Sequence, residues 1–446
     1  MLRPPREELH SLIVLAVPVV IAELGWVAMG VVDTVMVGTL GDSAIGAVGV
    51  GRALFFGIAV FGIGLLLGLD TVISNAYGAG NLARCRAALW HGVVLAFMIS
   101  IPLTLLIRVL AQRLGTWGVD PNVLEATIAY TKAVSWAAFP IFMYSAVRRY
   151  LQATNQVLPV MIALISANAV NVAANWILIF GNLGAPAMGV SGAGWASVIS
   201  MSYMALLLGG IAWFHASRLE LATPFSWAID RALTMRLIAL GLPAGFQLLL
   251  EVGVFCLATI LAGRLAPAAL AAHQIVINVA STTYMVPLGI SQATGVRVGH
   301  KLGAGDPAAA RRVGWMGIGL SSAFMSVSAV SFIVFPRFFF SLWDVSPQAL
   351  TIGVTLFVAA AVFQLFDGMQ VTAIGALRGL GDTRSALYWN FVGYWLIALP
   401  IGHLLCFRYG YGALGLWIGF CSGLIVCGIA LVHRWSVVSR RAAISG

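Results

Sequence analysis

Apolar stretches long enough to cross a bilayer recur along the whole sequence, near 11–38, 45–77, 85–110, 122–150, 158–181, 189–215, 232–263, 268–302, 309–337, 347–377, 385–406 and 411–436. At 1.5 Å per residue, about 20 residues span a hydrocarbon core of about 30 Å. Twelve such stretches predict an all-α polytopic membrane protein. Composition agrees: 61% of the residues are hydrophobic and 9% charged, against roughly 25% charged in soluble domains. The first stretch is too long for a cleavable signal peptide and has no small-residue cleavage site behind it, so it is expected to stay as a helix.

The formal charge of +10 would suit a nucleic-acid surface, but its placement argues otherwise. With the N-terminus inside, one set of loops and helix ends carries 18 Lys and Arg, among them Arg3, Arg148, Arg149, Arg218, Arg297 and Lys301, and the opposite set six. A positive-inside bias of this size puts both termini in the cytoplasm and makes the basicity topological, with no nucleic-acid partner. The five cysteines form no CxxC or Cys/His pattern, so they predict packing rather than disulfides or metal ligands.

An internal repeat organises the chain. A shift of 225 residues places Pro18 on Pro243, Gly38 on Gly263, "GAGN" at 78–81 on "GAGD" at 303–306, Arg86 on Arg311, Trp90 on Trp315 and Gly92 on Gly317. Later segments match with other offsets: "NVAANW" from Asn171 lies over "NFVGYW" from Asn390. Six crossings per unit is an even number, so the expected architecture is two parallel six-helix repeats related by an axis along the membrane normal, a build that places a transport site between bundles. The charged loop 215–231, with Pro224, is the natural linker. It divides an N-lobe, 1–214, from a C-lobe, 232–446. The 49 glycines read mostly as helix-packing positions, and the intrahelical prolines, Pro18 and Pro243 among them, as kinks or hinges.

Ionisable side chains inside the membrane cost several kcal/mol and mark pathways. Four acids qualify, Glu23, Asp33, Glu251 and Asp367, with Asp70 marginal. Glu251 and Asp367 both lie near mid-membrane on their helices. Gln247 and Phe255 flank the first on helical spacing, and Phe363, Gln364, Gln370 and Val371 the second. Two like charges brought together in a low dielectric oppose each other's ionisation, so the pair can hold a proton or attract a cation. The bland alternative is a pair of acids satisfied by helix–helix hydrogen bonds. Asp33 lies at a depth that matches Asn171 and Asn175, which share a face four residues apart. With Ser197 as a candidate hydroxyl, this set suits a hard cation such as Na+ or a protonation switch, and otherwise an amide cluster that glues helices. Glu23 has no evident partner. Asp70 is placed to tie down the cytoplasmic loop that follows it.

No GxxxxGKS, HExxH or GxSxG motif and no TVGYG-like filter is present, so neither an ATP-driven pump, a membrane hydrolase nor a selective channel has its chemistry here. The chain reads as a transporter, not an enzyme, without cofactor and driven by an ion gradient.

The segments "PVVIAELGWVAMGVVDTVMVGTLG", "SNAYGAGN", "NVAANWILIFG", "MGVSGAGWAS", "AAHQIVINVAS", "RVGHKLGAGD" and "GALRGLGDTR" together resemble the multidrug and toxic compound extrusion (MATE) transporters, across all twelve helices. The resemblance implies a secondary antiporter that exports organic cations and other amphipathic drugs in exchange for Na+ or H+ by rocking two lobes. It implies an N-lobe cation site at Asp33, Asn171, Asn175 and Ser197, where threonine is commoner than Ser197. It also implies a C-lobe site at Glu251, Gln274, Tyr284 and Asp367, as in the NorM-like branch. Phe255, Phe363 and Tyr284 would offer ring faces to a cationic drug. Phe363 departs from members with tyrosine there, which disfavours direct Na+ ligation at that site and favours protons. The alternative cargo, a lipid-linked saccharide precursor, needs basic residues in the cavity, and Arg52 is the one deep in a predicted helix. The expected setting is the inner (plasma) membrane, as a multi-pass monomer whose partners are small molecules and the bilayer.

Overall fold

The computed structural model describes residues 5–218, 227–343 and 345–445. Among them every regular element is helical. In the first half these are α1 (Pro5–Gly38), α2 (Asp42–Leu65), α3 (Gly68–Gly78), α4 (Leu82–Arg113), α5 (Pro121–Val134), α6 (Ala138–Ala153), α7 (Val157–Phe180) and α8 (Val190–Arg218). In the second half they are α9 (Arg231–Ala262), α10 (Pro267–Gly303), α11 (Pro307–Val334), α12 (Pro336–Phe340), α13 (Pro347–Leu380), α14 (Arg384–Asn390), α15 (Leu399–His403) and α16 (Gly412–Ser445). Two π-helical stretches, Phe391–Ala398 and Leu404–Arg408, join α14 and α15 into one span, Arg384–Arg408.

Ten helical spans among the described residues are long and apolar enough to cross a membrane. Two expected crossings fall outside that criterion for different physical reasons. Residues 121–153 are broken by a 3-10 turn at Ser135–Ala137 into two helices of 14 and 16 residues. Helix α10 is 37 residues long but carries His273, Gln274, Asn278, Thr282, Thr283 and Tyr284 along it, which dilute its apolarity. Large apolar side chains such as Leu206 (77% exposed) and Trp213 (70%) cover outward faces, as lipid-facing positions do.

The repeat is visible in atomic detail at its turns. Asn81 and its repeat partner Asp306 both cap the following helix, accepting from Arg84 N at 2.9 Å and from Ala309 N at 2.8 Å. Gly80 and Gly305, one residue earlier, both take left-handed φ, +71° and +75°, which a side chain disfavours. The matched glycines Gly92 and Gly317 also act alike. A Cβ would lie 2.7 Å from Leu69 in the first case and 2.1 Å from Thr294 in the second, and those residues are themselves 225 apart. Similar sequence therefore yields the same close approach of α4 to α3 and of α11 to α10.

Contacts group the chain into two compact units, Met1–Val20 with Phe246–Gly446, and Ile21–Gly245. Both divisions fall two residues past a proline inside a helix, Pro18 in α1 and Pro243 in α9. In the first unit, a Cβ on Gly289 of α10 would meet Val20 at 2.5 Å; in the second, one on Gly241 of α9 would meet the Leu65 carbonyl at 1.8 Å. The linker expected at 215–231 has its centre, 219–226 with Pro224, outside the described residues, as does Arg3. Its end is anchored within the second unit: Trp90 Nε1 donates to Trp227 O at 3.2 Å, and Asp230 N donates to His91 Nε2 at 2.8 Å.

Candidate functional site

The C-terminal acids sit in a network built from four helical segments. Glu251, about two-thirds of the way along α9, accepts from Gln247 Nε2 one turn earlier at 2.6 Å and from Asn390 Nδ2 at 3.2 Å, both on Oε2. On Oε1 it accepts from Tyr284 OH of α10 at 3.5 Å. Asn390 is held in turn: Gln370 Nε2 of α13 donates to its Oδ1 at 2.9 Å, and Tyr394 OH donates to Gln370 Oε1 at 3.0 Å. Asn390 ends α14, and Tyr394 and Trp395 lie in the π-helical stretch that follows. Such a local change of helical register often marks a functional position. Trp395 Nε1 reaches Leu250 O at 3.1 Å and so fixes α9 beside the carboxylate.

Asp367 of α13 is 6% exposed and within electrostatic reach of Glu251, yet it makes no hydrogen bond or ion pair among the described residues. Phe363, one turn before it, is 5% exposed. It packs edge-on to Phe255 at 6.2 Å, Trp417 at 5.8 Å and Phe420 at 6.3 Å between ring centroids. Phe255 also meets Tyr394 at 5.9 Å. The two phenylalanines thus form one wall near the acids. Gln364 Nε2 donates to Thr283 Oγ1 at 2.5 Å. Gln274 makes no hydrogen bond to this network among the described residues.

In the unit Ile21–Gly245, Asp33 of α1 accepts from Asn175 Nδ2 at 2.8 Å, and the same nitrogen reaches Asn171 Oδ1 at 3.1 Å. Both asparagines are fully buried, one helical turn apart on α7 as their spacing predicts. Asn175 Oδ1 is buried without a hydrogen-bond partner, an oxygen that a cation or water would satisfy. Ser197 Oγ is turned to Ala193 O at 3.1 Å, and Ser197 lines the same small cavity as Asp33. The oxygens present fit a hard cation or a proton site.

The remaining acids do have partners. Arg148 forms a buried ion pair with Glu23, and Arg149 pairs with Asp70 at 3.5 Å. The pairing of Glu23 was not legible in the sequence, and the two arginines, expected in a loop set, lie within α6 at 7% and 6% exposure. Arg52 is therefore not the one deep basic residue. Asp70 pairs with an arginine of α6. At the start of α1, Glu8 (4% exposed) pairs with Arg297 at 2.7 Å and with Lys301, about 20 Å along α10 from Tyr284.

Of the C-terminal network, Asn390 was the residue the acid count missed. Its signal lay in the repeat, where it occupies the position of Asn171, and Tyr394 that of Asn175. Both halves thus carry a polar pair at equivalent positions, one member of which donates to a carboxylate: Asn175 to Asp33 and Asn390 to Glu251.

Comparison with known proteins gives the same picture. A family model described as MatE matches residues 18–177 and 243–404, two segments whose first residues are Pro18 and Pro243. A probable multidrug resistance protein NorM of Bradyrhizobium diazoefficiens is 36% identical over 432 residues, covering 96% of this chain and 93% of the relative. The multidrug resistance protein MdtK of Edwardsiella ictaluri is 33% identical, covering 96% and 95%. Among solved structures, the eukaryotic MATE transporter AtDTX14 superposes with a TM-score of 0.86 over 99% of both chains at 22% identity. An outward-facing MATE family multidrug resistance transporter gives 0.87 over 98% of this chain and 96% of that one at 18% identity. These two show the fold.

Proposed function

The chain belongs to the MatE family, and from that premise we propose that it is a secondary antiporter exporting amphipathic, mainly cationic drugs in exchange for Na+ or H+. The carrying observation is the C-terminal pair. Glu251 is held by three neutral donors and Asp367 by none, and neither acid forms an ion pair among the described residues, Arg378 acting on Glu251 only at electrostatic range. An organic cation is held there by charge and by the rings of Tyr284 and Phe255, with Phe363 behind them. Coupling ions that bind the same carboxylates neutralise them and release the drug. Gln274 on α10 contributes to substrate contacts as the resemblance implies.

Asp33 with Asn171, Asn175 and Ser197 forms a second cation or proton site, at the proline-bearing α1. The moving bodies are the N-lobe, 1–214, and the C-lobe, 232–446, joined by the linker. The protein sits in the inner membrane as a monomer with both termini cytoplasmic, as the charge bias supports. A saccharide-pyrophosphate cargo is disfavoured, because the C-terminal network presents two carboxylates to it.

The test is flux in proteoliposomes under an imposed Na+ or pH gradient. Ethidium export should follow one gradient, and Glu251→Gln or Asp367→Asn should abolish it while the protein still inserts. Near-normal export by either variant would overturn the C-lobe mechanism.

A further inference from the structure

Asp33 and Arg52 line one enclosed cavity of about 20 Å³, with Tyr130 and Ser197 in its walls. That is room for about one water or a bare cation. The guanidinium has a built seat. Arg52 Nη1 donates to Gly30 O at 3.2 Å, and its Cζ stands 5.5 Å from the centre of the Phe56 ring. The guanidinium packs directly over the bare backbone of Gly30, where a Cβ would lie 2.3 Å from Arg52 Nη2. Among the described residues Arg52 forms no ion pair with Asp33, so it faces the carboxylate across the cavity.

We propose that Arg52 is a tethered cation that sets the ion specificity of the Asp33 site. It supplies a fixed positive charge where a free Na+ would otherwise sit, and leaves any sodium coupling to Glu251 and Asp367. In a cavity this small, an ion that reaches Asp33 stands within a few Å of the guanidinium. Repulsion between unit charges at that range is strong at the effective dielectric of a protein. An arginine does not shed its proton in proteins, so the exclusion does not switch off. The cavity therefore admits water or a proton in preference to a metal cation. This inference rests on the antiporter reading for its meaning and names a residue that specifies the coupling ion.

The experiment is binding of 22Na+ to the purified full-length protein at fixed pH, for the wild type, Asp33→Asn, Arg52→Gln, Arg52→Lys and Arg52→Gln with Asp33→Asn. Sodium binding by the wild type should be unchanged by Asp33→Asn. Arg52→Gln should bind Na+ at an added site on the order of tenfold or more tighter than any Asp33 contribution in the wild type. The double variant should lose that site, and Arg52→Lys should match the wild type. Binding in the wild type that Asp33→Asn removes would overturn the proposal. So would an Arg52→Gln protein that is monodisperse, unfolds at the wild-type temperature and gains no site. If Arg52→Gln does not fold, the comparison of wild type with Asp33→Asn decides alone. The measurement is blind to drug export, so a failed ethidium assay would sink the antiporter mechanism without moving this result.

Discussion

The two halves of the chain answer the same problem, acids inside a membrane, in opposite ways. In the first half Glu23 and Asp70 are matched by Arg148 and Arg149, and Asp33 shares its cavity with Arg52. In the second half Glu251 accepts from an amide, another amide and a phenol, with Arg378 at electrostatic range, and Asp367 makes no hydrogen bond or ion pair among the described residues. Neutral donors hold a carboxylate without a countercharge, so the second half keeps acids that can exchange a proton for a cation. Of the three intramembrane acids of the first half, two are in ion pairs. One lobe is thereby held together, and the other keeps its acids for exchange.

That contrast predicts where substitutions hurt. Arg148→Met leaves Glu23 without its ion-pair partner and should lower stability by about 3–5 kcal/mol, read as thermal unfolding of the detergent-solubilised protein. An unchanged unfolding temperature would mean that the pair is not structural. Removing both charges, as Glu23→Leu with Arg148→Met, should recover much of the loss. Glu251→Gln and Asp367→Asn should do the reverse, leaving the unfolding temperature near the wild type while export falls to background, a loss of at least about a hundredfold or about 2.7 kcal/mol. Equal losses of stability in these variants would erase the distinction between the halves.

Smaller effects sharpen the comparison. Asp33→Asn should slow ethidium efflux by about tenfold, within the range of a typical coupling energy, without changing its sodium dependence. A change in that dependence would place a sodium site in the first half after all. Asn390→Ala removes one of three donors from Glu251, and a lost hydrogen bond to a charged group costs about 1–3 kcal/mol. Apparent drug affinity in a competition assay should shift by at least about fivefold, and a silent Asn390→Ala would show that Gln247 and Tyr284 suffice.

Much of this was legible beforehand, for identifiable reasons. Apolar length and charge bias are one-dimensional properties, so the crossings and the repeat could be read directly. Asn171 and Asn175 could be paired because four residues is one helical turn. Arg148 could not be placed, because it lies near the end of an apolar stretch and α6 continues past it to Ala153. Nothing local shows that Glu23, 125 positions away, waits on another helix. Asn390 was visible as the repeat partner of Asn171 but not as a ligand of Glu251, since the repeat carries different acids: Trp26 stands where Glu251 would be, and Ala258 where Asp33 would be.

The sequence by itself determined that this chain is helical, crosses the membrane many times and is built twice over, because hydropathy and a 225-residue periodicity need no knowledge of neighbours. It also determined that Glu251 and Asp367 are costly and therefore functional candidates. The tertiary structure alone decided which acids are ion-paired with arginine and which are met by neutral donors. Charge compensation depends on side chains meeting across helices far apart in the chain, and at a few Å the energy is too steep in distance to be read from spacing along one helix.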